Sequence, residues 1–113
     1  MTRIAMIGAL LAMTGPAFGH AHLSKAAPAA NASVGAPQEI VLTFTEPLER
    51  AFSTIEVTDA TGKKVQTDKT QVKDNVMRLP LKPLPAGIYK VDWRVLSVDT
   101  HKSQGSFRFT VKP

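Results

Sequence analysis

Residues 88–97 have the sequence IYKVDWRVLS, and this stretch decides the fold class. Every second position carries a large apolar side chain, namely Tyr89, Val91, Trp93 and Val95. The positions between them are mostly more polar. An alternation of period two predicts a β-strand that buries one face, because side chains of a strand point to opposite faces in turn.

The same alternation recurs elsewhere in the chain. Further strands are predicted at Gln38–Thr45, Ser53–Asp59, Val76–Leu81 and Gly105–Val111, with Lys64–Val72 as a weaker and more polar candidate. Gly and Pro turns separate these segments, and no segment shows a sustained helical period. The Ala-rich stretch 26–36 is expected to be an extended connection. The sequence therefore predicts an all-β fold, a small Greek-key β-sandwich.

The first nineteen residues have the three-part pattern of a secretory signal. Arg3 gives a positive start, Ile4–Met13 is a mostly apolar run, and Ala17-Phe18-Gly19 places small residues before a cleavage site. The apolar run is shorter than the ~20 residues that span a bilayer. We therefore predict a signal peptide at 1–19 and one domain at 20–113, exported and without stable membrane insertion.

The position of the cleavage site matters for the chemistry that follows. Cleavage after Gly19 makes His20 the first residue of the mature chain. Cleavage after Ala21 is also conceivable, because Gly19 and Ala21 are both small, and it would make His22 the first residue. The first site is the preferred prediction.

Composition narrows the possible functions. The 113 residues suit one domain and are too few for an enzyme with a separate cofactor-binding domain. No cysteine is present, which excludes disulfides, thiolate zinc sites, blue-copper centres and iron–sulfur clusters. The net charge of +5 falls to +4 without Arg3. The basic residues are spread along the chain, with Lys63-Lys64 as their only adjacent pair in the mature part, so no nucleic-acid partner is expected.

The candidate chemistry lies at the three histidines. His20 and His22 stand at the predicted new N-terminus, and His101 follows Asp99 by two positions. An N-terminal histidine can chelate one metal ion through its α-amine and its ring nitrogen Nδ1. Asp99 and His101 would leave the same face of an extended segment. Nitrogen and oxygen donors in a tetragonal plane suit Cu(II).

Two other interpretations of these residues stay open. Asp99 could simply stabilise a turn before the last strand, and His101 could be an exposed loop residue. Alternatively, His22 could bind Cu(II) in a three-residue terminal chelate, together with the amine and two deprotonated backbone amides. That chelate needs a loose N-terminus, whereas Leu23 and the strand after it would fix the backbone.

Several stretches, in this order along the chain, resemble CopC-type periplasmic copper-binding proteins. They are His20-Ala21-His22-Leu23, the proline of Ala27-Pro28-Ala29, the segment 40–48 (IVLTFTEPL), the segment 86–95 (AGIYKVDWRV) and Ser97-Val98-Asp99-Thr100-His101. The resemblance extends from residue 20 to residue 113. It implies a cupredoxin-like or Ig-like β-sandwich of about seven to nine short strands. It also implies one Cu(II) per chain, held by the amine and ring of His20 with Asp99 and His101.

The resemblance further implies a role for Glu46 and a location for the protein. Glu46 matches an acidic residue near the metal and would orient the amine from outside the ligand set. The protein is expected to be a periplasmic monomer that sequesters or delivers copper, and a CopD-type inner-membrane transporter is the candidate partner that the resemblance implies. It is not expected to be an enzyme.

Some members of this family also hold Cu(I) with a methionine-rich loop. Here Met77 is the one methionine after the signal, and its place in a strand pattern favours a core role over a ligand role. No Cu(I) thioether site is therefore expected. The alternative functions are a copper oxidase or monooxygenase, since a similar histidine brace occurs in polysaccharide monooxygenases, and a metal-free Ig-like adhesion or carbohydrate module.

Overall fold

The computed structural model describes residues 21–113, so the predicted signal segment and His20 lie outside the described residues. The described chain is built almost entirely of β-strands. Their bounds are β1 Leu23–Ala27, β2 Ser33–Val34, β3 Glu39–Phe44, β4 Thr54–Thr58, β5 Gln71–Lys73, β6 Val76–Pro80, β7 Gly87–Leu96 and β8 Lys102–Val111, with one 3-10 turn at Arg50–Phe52. The predicted all-β class is confirmed.

The strands form two four-stranded sheets. Their orders are β1-β3-β6-β5 in one sheet and β2-β8-β7-β4 in the other. β7 and β8 pair antiparallel along their whole length, from Gly87 opposite Val111 to Leu96 opposite Lys102. The loop between these two strands is therefore held at one end of the sandwich. No helix within residues 21–113 is long and apolar enough to cross a membrane.

The core lies between the two sheets, and the alternation in β7 explains how it forms. The four apolar side chains predicted to face inward, Tyr89, Val91, Trp93 and Val95, are all buried. Phe44 of β3 meets Trp93 edge to face, with ring centroids 5.0 Å apart, and so connects the two sheets. Burial of each such side chain contributes about 1.5–3 kcal/mol. The alternating apolar side chains thus point inward from their sheets and form the core between the two layers.

Trp93 needs space that its partner strand provides. It stands opposite Gly105 in the β7–β8 ladder. A Cβ atom at position 105 would lie 2.5 Å from the indole ring, closer than side chains tolerate. The glycine therefore makes room for the ring where β8 passes it.

The weak strand prediction at Lys64–Val72 is largely wrong. Only the end of that segment belongs to β5, and Lys64 makes a single bridge to Thr58. Instead, two side chains accept hydrogen bonds from backbone N–H groups of β4. Thr70 Oγ1 accepts from Ile55 and Gln66 Oε1 accepts from Val57, each at 2.9 Å. Side-chain oxygens thus replace part of the backbone ladder and cover the exposed edge of β4.

Two other boundaries differ from the prediction. The Ala-rich stretch 26–36 is not a plain connection, because Ser33–Val34 pairs parallel with the end of β8. β8 itself begins at Lys102, three residues before the predicted Gly105. These earlier residues are polar or exposed, so burial gave no signal for them, and their pairing with β7 extends the strand.

Candidate metal centre

The predicted Asp-x-His pair lies in the loop that joins β7 to β8. Ser97 N–H donates to the carbonyl oxygen of His101 at 2.9 Å, and Thr100 N–H donates to the carbonyl oxygen of Ser97 at 2.8 Å. Thr100 has a φ of 73°, in the left-handed region. The segment is therefore a tight turn, and the assumption that it is extended is wrong.

The turn nevertheless brings the two side chains together. Asp99 Oδ1 lies 3.3 Å from His101 Nδ1. Nearly half of each side chain is exposed, 46% for Asp99 and 48% for His101. A carboxylate oxygen and an imidazole nitrogen at this separation are close enough to share one metal ion, since metal–ligand bonds to nitrogen and oxygen are about 2.0–2.2 Å long.

Ser97 supports both members of this pair. It is fully buried, and its Oγ makes a short hydrogen bond to Asp99 Oδ1. The backbone N–H of His101 donates to the same Oγ at 3.2 Å. The hydrogen bond from Ser97 is the main cause that lowers the pKa of the Asp99 carboxyl, assisted by His101 and partly opposed by desolvation. Ser97 stands in the motif 97–101, but nothing in the sequence alone indicates its role there.

The start of the described chain is anchored at the same end of the sandwich. Ala21 is fully buried, and its carbonyl oxygen accepts a 2.7 Å hydrogen bond from Ser103 Oγ. His22 N–H donates to Thr45 Oγ1 at 2.9 Å, and Thr45 N–H donates back to the carbonyl oxygen of His22 at 2.9 Å. Residues from both sheets therefore hold the backbone of residues 21 and 22.

This anchoring bears on the alternative ligand His22. Its side chain is exposed, but its backbone nitrogen is already a hydrogen-bond donor to Thr45. The three-residue terminal chelate requires that nitrogen to lose its proton and bind the metal. Such a chelate would have to break the hydrogen bond from the His22 N–H to Thr45.

Glu46 lies beside the loop that carries the pair. Leu48 forms an antiparallel bridge with Ser97, and Val98 N–H donates to the carbonyl oxygen of Pro47 at 3.1 Å. This register places Glu46, one residue before Pro47, at the level of Asp99. Glu46 is half-buried, and within the described residues its carboxylate makes no hydrogen bond or ion pair.

The described residues alone do not form a complete metal site. Across residues 21–113, no three His, Cys, Asp or Glu side chains gather into a group that could hold an ion. Met77 is fully buried in the core, as its place in the strand pattern predicts. Asp99 and His101 are two of the predicted ligands, and His20, the third, lies outside the described residues.

The chain is similar to known proteins over most of its length. The CopC domain model matches residues 23–112. Copper resistance protein C of Xanthomonas campestris pv. juglandis is 38% identical over 120 residues, which cover 98% of this chain and 94% of that protein. Its length and sequence thus correspond to this chain almost from end to end.

Solved structures show the same similarity. The crystal structure of CopC from Methylosinus trichosporium OB3b matches with a TM-score of 0.78 and 36% identity, over 83% of this chain and 95% of that chain. PcoC, a methionine-rich copper resistance protein from Escherichia coli, matches with a TM-score of 0.74 and 37% identity, over 83% of this chain and 100% of that chain. The resemblance found in the sequence is confirmed, and the chain belongs to the CopC family.

Proposed function

We propose that this protein binds one Cu(II) ion in the periplasm and sequesters or delivers it in copper homeostasis. The observation that carries the proposal is the convergence of the Asp99–His101 pair and the anchored N-terminal backbone at one end of the sandwich. The copper resistance proteins and CopC structures to which the chain is similar support copper as the metal.

The ligand set that we propose combines the pair with the N-terminal residue. His20 directly precedes Ala21, whose carbonyl oxygen accepts the hydrogen bond from Ser103 Oγ. Ser103 follows His101 by only two positions in the chain. The α-amine and ring of His20, with Asp99 and His101, would give a histidine brace.

The donor types favour Cu(II) over softer ions. Amine, imidazole and carboxylate groups suit the tetragonal preference of Cu(II), which also binds most tightly among the divalent first-row metals. Cu(I) prefers thiolate and thioether ligands, and the thioether of Met77 is enclosed in the core. Glu46 would act from outside the ligand set by accepting a hydrogen bond from the amine.

Export to the periplasm is part of the proposal. The signal pattern in residues 1–19 supports a periplasmic location, and a CopD-type inner-membrane transporter is the partner that we propose. The exposure of Asp99 and His101 supports transfer, because a receiving protein can approach ligands that are not enclosed.

The copper monooxygenase alternative has less support. Enzymes of that type bind their polysaccharide through a broad face of exposed aromatic rings. Trp93 and Tyr89 are both buried here, and the hydroxyl of Tyr89 donates to the carbonyl oxygen of Pro85 at 2.6 Å. An assay with a reductant and hydrogen peroxide separates the two functions, since a carrier should release no oxidised product.

The experiment that tests the proposal is Cu(II) titration of the mature secreted protein. Intact mass with and without copper should show cleavage before His20 and one copper per chain. The electron paramagnetic resonance spectrum should be tetragonal and nitrogen-rich, without the intense blue colour of a copper–thiolate bond. A protein that binds no Cu(II), or two ions equally tightly, would contradict the proposal.

A further inference from the structure

Ser97 contacts both residues of the pair that we propose to bind copper, through the side chain of Asp99 and the backbone of His101. It is one of two buried polar residues in the described part of the chain, the other being Ser53. Its Oγ contacts Asp99 Oδ1 and the backbone nitrogen of His101. A buried serine at the base of an exposed pair is thus connected to both members.

The direction of these hydrogen bonds can be assigned. The Ser97 hydroxyl has one proton, and within residues 21–113 it contacts two acceptors, Asp99 Oδ1 and the carbonyl oxygen of His101. That carbonyl oxygen already accepts the Ser97 N–H at 2.9 Å, and a carboxylate is the stronger acceptor. The hydroxyl therefore donates to Asp99, and its lone pair accepts the His101 N–H at 3.2 Å.

These bonds restrict the Asp99 carboxylate and the backbone of the turn. About half of the Asp99 side chain is exposed to solvent, so packing contributes little to its position. A fixed carboxylate and a fixed turn lose less conformational freedom when an ion binds, which raises affinity by preorganisation. Ser97 itself is rigid because it is buried and its backbone is paired with His101 and bridged to Leu48.

We propose that Ser97 is a positioning residue for Cu(II), holding the Asp99 carboxylate and the His101 backbone ready for the ion. This inference rests on the proposed function, because it assumes that Asp99 and His101 bind copper. Outer residues that orient metal ligands commonly change metal affinity by 10–100-fold when they are removed.

The test compares Ser97→Ala with the matched control Ser53→Ala. Ser53 is also a buried serine whose Oγ accepts a backbone N–H, that of Leu96 at 3.2 Å, but it contacts neither Asp99 nor His101. Cu(II) affinity is measured by competition titration, and the copper environment by electron paramagnetic resonance. Ser97→Ala should weaken Cu(II) binding about tenfold or more and alter the spectrum, while Ser53→Ala should leave both unchanged.

A third variant, Ser97→Thr, keeps the hydroxyl and separates hydrogen bonding from folding. It should retain Cu(II) affinity within about threefold of wild type. This change is smaller than the loss of about tenfold or more that is expected when an orienting residue is removed. Wild-type affinity and spectrum in Ser97→Ala would overturn the role of Ser97 and leave the copper site standing. Equal losses in Ser97→Thr and Ser97→Ala would also overturn it. Wild-type protein that binds no Cu(II) would overturn both proposals.

Discussion

Ser103 Oγ donates a 2.7 Å hydrogen bond to the carbonyl oxygen of Ala21, which joins the start of β8 to the first described residue of the chain. The two residues are 82 positions apart in sequence. Ser103 is the second residue of β8 and follows His101 by two positions, so this bond brings Ala21 close to the loop with the proposed ligands. The first described residue is therefore part of the tertiary structure at the candidate site.

Removal of that hydrogen bond should weaken copper binding. Ser103→Ala leaves the Ala21 carbonyl oxygen without this donor, so the N-terminal amine would be held less firmly, and we expect Cu(II) affinity to fall several-fold. The matched control is Ser24→Ala, because Ser24 Oγ likewise donates to a backbone carbonyl, that of Thr43 at 3.1 Å. Each hydrogen bond contributes about 0.5–1.5 kcal/mol to stability. Equal Cu(II) affinities in the two variants would argue against a role of the Ser103–Ala21 hydrogen bond in copper binding.

Asp99→Ala and His101→Ala should each weaken Cu(II) binding without unfolding the domain. Both side chains are about half exposed and contribute no apolar core, so metal-free His101→Ala should melt close to wild type. Metal-free Asp99→Ala should stay folded but melt somewhat lower, because the buried Ser97 hydroxyl loses this acceptor. Cu(II) titration measures the affinity, with His22→Ala as the control. Wild-type affinity in His101→Ala, together with a loss in His22→Ala, would favour the three-residue terminal chelate instead.

Copper binding should fade as pH falls through the range where imidazoles gain a proton. An ordinary imidazole has a pKa near ~6.5, and protons compete with the metal for the same nitrogen. The hydrogen bond from Ser97 keeps the pKa of Asp99 below its usual value, so this carboxylate stays ionised through that range. Competition titrations between pH 7 and pH 5 should show a steady loss of affinity, and a constant affinity would contradict nitrogen ligands.

The same carboxylate predicts the acid stability of the metal-free protein. A lowered pKa in the folded state stabilises the fold above the ordinary carboxyl pKa, and this contribution is lost as pH falls through the folded-state pKa. The pKa of Asp59 is also lowered, mainly by the hydroxyl of Thr61. Asp99 and Asp59 should therefore cause no change in the melting temperature between pH 7 and pH 5. The melting temperature should decline below about pH 4, where these carboxylates gain protons.

The sequence was informative where burial leaves a periodic pattern. The inward face of β7 could be predicted because Val91 and Val95 alternate with charged residues. The segment 64–72 could not, because the contacts of Gln66 and Thr70 with β4 replace backbone pairing and leave no such pattern. Side-chain hydrogen bonds between distant segments are visible only once the fold is known.

The candidate site also has some features that could be predicted from the sequence and others that could not. Asp99 and His101 were identifiable because their chemistry and close spacing are visible in the sequence. The left-handed turn at Thr100 and the bonds made by Ser97 were not, because they depend on how the loop closes between β7 and β8. A serine becomes informative only when its partners are known.

Gly105→Ala should destabilise the domain, whereas Gly35→Ala should not. A Cβ atom at position 105 would lie 2.5 Å from the Trp93 ring, while one at position 35 meets nothing within 4 Å. Overpacking of this kind costs about 1–3 kcal/mol. Urea unfolding of the metal-free variants measures the difference. Equal free energies of unfolding would show that the indole shifts without cost.

The last prediction concerns the residue before His20. A variant that retains Gly19 keeps every side chain of the domain but moves the α-amine away from His20, so the amine and the ring can no longer form the same chelate. We expect the two metal-free proteins to melt at the same temperature, because the backbone from Ala21 onward keeps its hydrogen bonds to Ser103 and Thr45. We expect Cu(II) to bind the Gly19-retaining protein far more weakly in a competition titration. Equal affinity would refute the histidine brace and leave the side chains of Asp99 and His101 to bind copper without the amine.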